Sequence, residues 1–596
     1  MQYAEVMVDV PAARRAFHYS IPPALLPHLA RGSFVRVPFR NKVVDGIVVD
    51  VAARLPGGLV ANKLRPIHRI VVASSQLPTG LLRLASWMSE QYFCSLADAL
   101  FTMLPPFPQK RQLDLKVSER PRTQPGKQYF VNGREERRWA TYVKTVQQSI
   151  SHGKSALIIF PTMERAERFT RSLHSHHLNS FLYSANLPRA HRFRTWERIA
   201  RGDFDCIVGT RLAVFSPLPH IDLIIVDDES HPGHVDDQQP RYRAPVVAEA
   251  RVRLEGGTLV TGGEIPSIAV FDGIEKGWIR SIDRPAPETP TTLTDLQSRH
   301  PILAATIEEA LGKYGRGVIV TTRLGAGGAT RCQDCGHLFS CPNCELPLTL
   351  HERGELRCHH CGHREALPSS CPDCRGNNIR PVGVGAERLE EYLLGRFPGQ
   401  RIGRLQADRR PETRWDILVA TVKVLDTDLS APIVAVHSLD SILELPDPFA
   451  VERAAQLLVQ LRSRATEHFF VQTRLPDHRV FRVLTQPDEF LKQELSLRVS
   501  KRYPPAVTLV RLLLAGSDRV KIATRLTNVA SKLKETLNPA AATVLGPGPA
   551  FYEKLKGQYR WHLLVKLLSD DRKVREQLKS LIPDDIQITV NPNDSL

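Results

Sequence analysis

The chain has 596 residues, 42% of them hydrophobic, and carries 80 Lys and Arg against 63 Asp and Glu, a formal net charge of +17. That length predicts three to five domains, and the longest apolar runs, such as 156–160 and 223–226, are strand-length and exclude a bilayer-spanning helix. The surplus of cations points to a polyanion, most simply nucleic acid, although a basic surface with Arg spread along the whole chain gives the same count.

In chain order, residues 1–106 alternate apolar and polar residues in short runs (5–10, 34–38, 46–51) separated by turns. This predicts a small β-rich domain closed by a helix over 81–100, apolar at Leu82, Ala85, Trp87, Met88 and Tyr92. Pro105, Pro106 and Pro108 end it, and 107–127 reads as a basic linker with Lys110, Arg111, Arg120, Arg122 and Lys127. Over 128–283 strands at 128–131, 156–160, 206–209, 223–226 and 258–261 accompany a helix over 135–151, the pattern of a parallel α/β sheet. After a Pro/Thr-bearing connector, 284–300, a second α/β unit occupies 301–329 and 378–485, with strands at 318–321, 417–420, 433–436 and 469–472. A Cys-rich insertion, 330–377, interrupts it. Residues 486–596 predict a small α+β domain with strands near 507–514, 561–567 and 586–590. The opening Met1-Gln2-Tyr3-Ala4-Glu5 has no charged head followed by an apolar run, so a cytoplasmic protein with reduced thiols is expected.

Eight of the ten cysteines form four Cys-x-x-Cys pairs: Cys332/Cys335, Cys341/Cys344, Cys358/Cys361 and Cys371/Cys374. Zinc takes four thiolates in a tetrahedron, so eight cysteines predict two closed sites, and spacing alone allows three ways of combining the pairs. Gly336 and Gly362 follow second cysteines, where a tight knuckle favours a residue without Cβ. An iron–sulfur cluster would use the same thiolates, and a disulfide framework suits a small secreted domain better than this long chain. His337, His351, His359, His360 and His363 lie nearby and read as surface residues, Cys94 and Cys206 as buried thiols.

Several segments then carry a family likeness. The head reads Val8-Asp9-Val10-Pro11, Phe17-His18-Tyr19 and Val35-Arg36-Val37-Pro38-Phe39. The middle reads Gly209-Thr210-Arg211-Leu212-Ala213, Cys341-Pro342-Asn343-Cys344, Gly383-Val384-Gly385-Ala386-Glu387-Arg388 and Leu445-Pro446-Asp447, and the tail Tyr503-Pro504-Pro505 and Gly546-Pro547-Gly548-Pro549-Ala550. In order and spacing the chain resembles the family of primosomal protein N′ (PriA), superfamily 2 replication-restart DNA helicases. The resemblance implies a multidomain α/β fold: an N-terminal domain that grips a DNA 3′ end, two RecA-like lobes, a double zinc ribbon inserted in the second lobe and an α+β tail. It also implies nested zinc sites and hence two Zn²⁺ per chain, with Cys332, Cys335, Cys371 and Cys374 sharing one ion and Cys341, Cys344, Cys358 and Cys361 the other. The family's winged helix between head and first lobe has no room here, since 107–127 is only a linker's length.

The motor motifs are degenerate. Gly153-Lys154-Ser155 imitates the end of a GxxxxGK[ST] phosphate loop, but Gln148 stands where the first Gly belongs and a helix precedes it. Counting back places the family's phosphate loop on 132–139, with Arg138 at the Lys position and Trp139 at the hydroxyl position. Glu135 and Glu136 would face the phosphates and repel them. The family's DEEH becomes Asp227-Asp228-Glu229-Ser230, where Asp227 is a remnant able to reach Mg²⁺ through water and Asp228 shortens the water-activating Glu. GSATPS becomes Gly262-Gly263-Glu264-Ile265-Pro266-Ser267, and the terminal Arg of QVAGRAGR becomes Glu467 while Arg464 survives. Each lost group is typically worth several kcal/mol of barrier. No catalytic residue and no ATP/Mg²⁺ cofactor is therefore expected, and the lobes read as a scaffold.

For DNA, the family's 3′-end pocket maps onto Phe17, Tyr19 and Arg65, with His18 replacing an Asp; Phe17 and Tyr19 read equally as a barrel core pair. In the tail, Lys556 and Arg560 are candidates for phosphate contact, while Trp561 reads as core. The resulting expectation is a non-catalytic replication-restart factor in the primosome. It binds forked or D-loop DNA and single-stranded DNA, and works with single-stranded DNA-binding protein and helicase-loading proteins, away from membranes. A divergent ATP-dependent 3′→5′ helicase and a zinc-ribbon nucleic-acid binder of another pathway are the competing readings.

Overall fold

A computed structural model describes residues 2–593 except 11–14, 54, 56–59, 72–76, 106–125, 185–186, 220, 284–288, 297–301, 323–329, 341–347, 352–353, 358–362, 382–385, 406–413, 446 and 556–557. Nearly all of the expected linker 107–127 thus lies outside the described residues.

The head is a five-stranded antiparallel sheet ordered Phe17–Ser20, Tyr3–Val8, Lys42–Ala52, Phe34–Phe39, Arg69–Ile70. Alternation buries Ala4, Val6, Val35, Val37 and Val48 on one side, as a half-buried strand requires. The helix expected over 81–100 is two helices, Thr79–Gln91 and Leu96–Met103. Phe93 takes φ 54° between them. Ser95 then starts the second helix with a reciprocal cap: its Oγ accepts from Asp98 N at 3.0 Å, and its own N–H donates to Asp98 Oδ2 at 3.2 Å.

Lobe one is a seven-stranded parallel sheet ordered Arg280–Asp283, Lys127–Asn132, Thr258–Gly263, Ile221–Val226, Ser155–Ile159, Cys206–Gly209, Ser180–Tyr183. Lobe two is a six-stranded parallel sheet ordered Thr291–Asp295, Ala465–Thr473, Ala431–Ser438, Gly317–Thr321, Ile417–Ala420, Ile402–Leu405. Helices cover both faces, so central strands such as Ile221–Val226 and Ile417–Ala420 are buried almost throughout. The tail sheet is ordered Ala542–Leu555, Gln558–Leu567, Thr508–Gly516, Gln587–Val590. Its first strand carries Gly546-Pro547-Gly548-Pro549 and was not expected from the sequence. Its pairing shifts register at 545–548, the bulged edge position where Pro is tolerated.

Ser95→Ala leaves the Asp98 backbone donor at the start of the second head helix without its partner, while the residue-95 amide keeps the Asp98 carboxylate. Unfolding in urea should show a loss of about 1 kcal/mol.

Candidate functional site

The strand Lys127–Asn132 ends and the helix Glu135–Ser151 begins with only Gly133 and Arg134 between them. Gly133 is engaged on both sides: its N donates to Gly263 O at 3.1 Å, and its O accepts from Arg138 Nη1 at 2.6 Å. A junction of two residues is shorter than the GxxxxGK[ST] loop that wraps a phosphate.

Arg138 turns inward onto Asp227, which closes the central strand Ile221–Val226. Its Nε meets Asp227 Oδ1 at 2.8 Å and its Nη2 meets Oδ2 at 3.3 Å. Tyr142 donates to Oδ1 at 3.0 Å, and Trp139 Nε1 lies 3.5 Å from Oδ2. Asp227 is 0% exposed, so both oxygens that would face Mg²⁺ are held by protein. Burial would pull the Arg138 guanidinium down, but Asp227 overrides it and holds the group above its ordinary range. Gly262 is retained for packing: a Cβ there would meet the Tyr142 hydroxyl at 1.8 Å.

Asp228, at φ 51°, is held in the same way. Arg165 Nη1 donates to its Oδ2 at 2.9 Å and Gln460 Nε2 to its Oδ1 at 2.9 Å. Burial pushes this carboxyl up, and Arg165 more than offsets that, so it stays below its usual value. Glu135 corrects an expectation. It is not a bare charge in the cleft but is buried against Arg168 at 2.8 Å and Arg165 at 3.8 Å, because a buried carboxylate needs counter-charge; Glu136 is exposed. Arg464 donates to Leu425 O at 3.3 Å, and Glu467 points to solvent. What remains between Glu135, Arg138, Arg165, Asp228, Glu264, Gln460 and Arg464 is an open volume of about 10 Å³, the room of about one water. Drug-sized ligands need pockets of roughly 300 Å³ or more.

The thiolates of Cys332, Cys335, Cys371 and Cys374 converge, with every sulfur within 4.8 Å of the others. The separations Cys332–Cys374 and Cys335–Cys371 are 3.5 and 3.7 Å. A tetrahedron of sulfurs at the usual zinc–sulfur length has edges of about 3.8 Å, so the set fits zinc. It is also the combination that nesting implies for the outer pairs. Gly336, at φ 82°, makes the first knuckle, its N–H returning to Cys332 O at 3.0 Å. Arg331 pairs with Glu444 and ties the insertion to lobe two. Cys341, Cys344, Cys358 and Cys361 lie outside the described residues.

On the head, Tyr19 is 4% exposed and its hydroxyl donates to Pro38 O at 3.2 Å, while Phe17 is half-buried. Phe17 packs edge-on to Phe39 at 5.1 Å, with Arg15 over Phe17 and Arg40 over Phe39, each at 5.8 Å. Arg65 is exposed and donates to Arg40 O. In the sequence Phe39 reads only as the end of the head segment 35–39, not as a DNA-facing residue, and Arg15 and Arg40 are not singled out, although strand alternation places Phe39 one register step beyond Val37. In the tail, Arg560 is half-buried opposite Ala515, Tyr559 and Trp561 pack against the core, and Lys556 lies outside the described residues. Among the described residues no helix is long and apolar enough to cross a membrane.

Three family models match: a 3′ DNA-binding domain (3′BD) of PriA over residues 5–105, a PriA DNA helicase Cys-rich region (CRR) domain over 341–365 and a primosomal protein N C-terminal domain over 500–593. The chain is similar to replication restart protein PriA of Treponema pallidum, 26% identical over 95% of this chain and 94% of that protein. It is 30% identical to that of Thermotoga maritima over 67% of this chain and 58% of that one, and 26% identical to that of Bacillus subtilis over 74% and 59%. It therefore spans about three fifths of the length of the last two.

Two outcomes test this geometry. Cys371→Ser should lower the metal content by one zinc per chain, read by elemental analysis. Glu229 is buried, accepts from Ser267 N at 2.8 Å and is pushed up by burial to about 7 from 4.5. A raised carboxyl contributes stability that is complete below pH 4.5 and lost as pH rises through 7, roughly 3 kcal/mol in all. Glu229→Gln keeps the acceptor and removes the charge, so its thermal midpoint should match the parent near pH 4.5 and exceed it above pH 7.

Proposed function

Because the chain belongs to the family of replication restart protein PriA, we propose that it is a primosome protein that binds forked or branched DNA and helps reload the replicative helicase without ATP-driven unwinding. The observation that carries the reading is the Arg138 guanidinium 2.8 Å from Asp227 in a junction two residues long. A phosphate loop supplies free N–H groups, a Lys for charge and a hydroxyl for Mg²⁺; here an Arg and a Trp at those positions bond the metal-binding carboxylate instead. The domain boundaries given above, with the winged helix absent, are part of the proposal.

DNA binding is supported by the head's match to a 3′ DNA-binding domain and by the net charge of +17. Phe17 and Phe39, flanked by Arg15, Arg40 and Arg65, offer an aromatic face with cations on which a terminal base can stack. Tyr19 is buried beside Phe17 on the same strand face, and Lys556 and Arg560 would add backbone contacts from the tail. Two Zn²⁺ per chain would hold the insertion as a docking surface for helicase-loading proteins and single-stranded DNA-binding protein in the cytoplasm. Zinc there closes four-thiolate sites and supplies structure, not chemistry.

The zinc-loaded protein should bind a synthetic fork at low salt, lose affinity steeply as salt rises, and hydrolyse no ATP with or without the fork. Fork-stimulated hydrolysis that Asp227→Ala abolishes would overturn the reading.

A further inference from the structure

The lobe junction is bonded far beyond what a disused pocket needs. Arg165 gives Nη1 to Asp228 of its own lobe and Nη2 to the Leu425 carbonyl of the other, at 2.9 and 2.6 Å. Lobe two answers through Gln460 on Asp228 at 2.9 Å and Ser463 on Glu264 at 2.8 Å. Glu452 accepts the Ile268 amide of lobe one at 2.8 Å, and its second oxygen takes Arg498, on the helix that leads into the tail, at 2.8 Å. Around these bonds, Ile265, Ile268 and Phe271 of lobe one are buried in one cluster with Phe481, Phe490 and Leu491.

A ligand that closes two lobes does so by bonding both. At this junction a side chain of the protein makes that double contact. Resting on the reading that nucleotide is no longer used, we propose that Arg165 is a built-in bridging cation that fixes the two lobes in one closed arrangement, independent of nucleotide. The consequence is a DNA-binding platform with constant geometry, where a motor would open and close.

Amide hydrogen exchange on the full-length, zinc-loaded chain tests it. Segments 264–272 and 421–428 should exchange slowly, and equally with and without Mg-ATP. Arg165→Gln should speed both by about tenfold or more while the tail strand Thr508–Gly516 keeps its protection. If that variant loses protection throughout, Gln460→Leu, which leaves the Arg165–Asp228 pair intact, should give a smaller rise confined to the same two segments. Fast exchange in the parent, slowing by Mg-ATP, or no change in either variant would overturn the proposal. Turnover of ATP with unchanged exchange would instead overturn the non-catalytic reading and leave the bridge standing. Slowing by Mg-ATP without turnover would do the reverse.

Discussion

The structure turns on the pairing of buried carboxylates with buried arginines where the two parallel sheets meet. Asp227, Asp228 and Glu135 are all nearly inaccessible. Each would be costly in a dry junction without a counter-charge, and taking one partner from a buried pair typically costs about 3–5 kcal/mol. A bound metal ion is one way to supply positive charge to such acids. This chain supplies it covalently, through Arg138 and Arg165, and the rest of the cleft is arranged around that solution. Trp139 fills the position beside Arg138, packing edge-on against Phe160 and Phe169 at 5.5 and 5.4 Å, while Arg168 lies 4.9 Å over its face. Substitutions that look like independent losses along the sequence are therefore neighbours in space. Reverting one alone would strand a charge or open a void.

Packing alone requires both lobes to be whole. Their central strands are apolar on both faces and need helices on each, so neither sheet can be trimmed without exposing its core. The head and tail depend on the same body. Met7, Phe34 and Leu81 of the head, Trp196 and Leu157 of lobe one and Val510 and Leu526 of the tail belong to one buried cluster. Phe34 meets Trp196 edge-on at 6.1 Å. Lys579 of the tail reaches back to the carbonyls of Ser89 and Cys94 at the break between the two head helices, which gives that break a role in docking.

Most of this architecture was legible in the sequence because compact apolar runs between turns have few alternatives. The strands at 206–209 and 417–420 fall where expected, and the thiolate pairs Cys332/Cys335 and Cys371/Cys374 meet as nesting implied. Two of the misses share a cause: the deciding interaction joins residues far apart in the chain. Glu135 looked like a repulsive group in a phosphate loop, since nothing local announces Arg165 and Arg168 on the next helix. The tail strand Ala542–Leu555 was hidden by its Pro-Gly repeat, because tolerance of Pro depends on lying at a sheet edge. The break at 92–95 has a local cause: Tyr92, Phe93 and Cys94 continue the apolar pattern without Gly or Pro, and the turn depends on the left-handed Phe93, for which the sequence has no marker comparable to glycine.

The aromatic face of the head follows the same logic from the other direction. Phe17 and Phe39 lie on different strands, at one edge and one inner position of the sheet, and meet only because the sheet folds them together. Tyr19, two residues on and on the same strand face as Phe17, is the more buried of the two; its hydroxyl closes on the Pro38 carbonyl and braces the strand that carries Phe39. Burying Tyr19 thus steadies the partner that stands beside Phe17, and it leaves Arg15, Arg40 and Arg65 as the cations around that pair. A rigid junction between the lobes, reached by the head through Phe34 and Trp196, holds this face in a constant position relative to the tail.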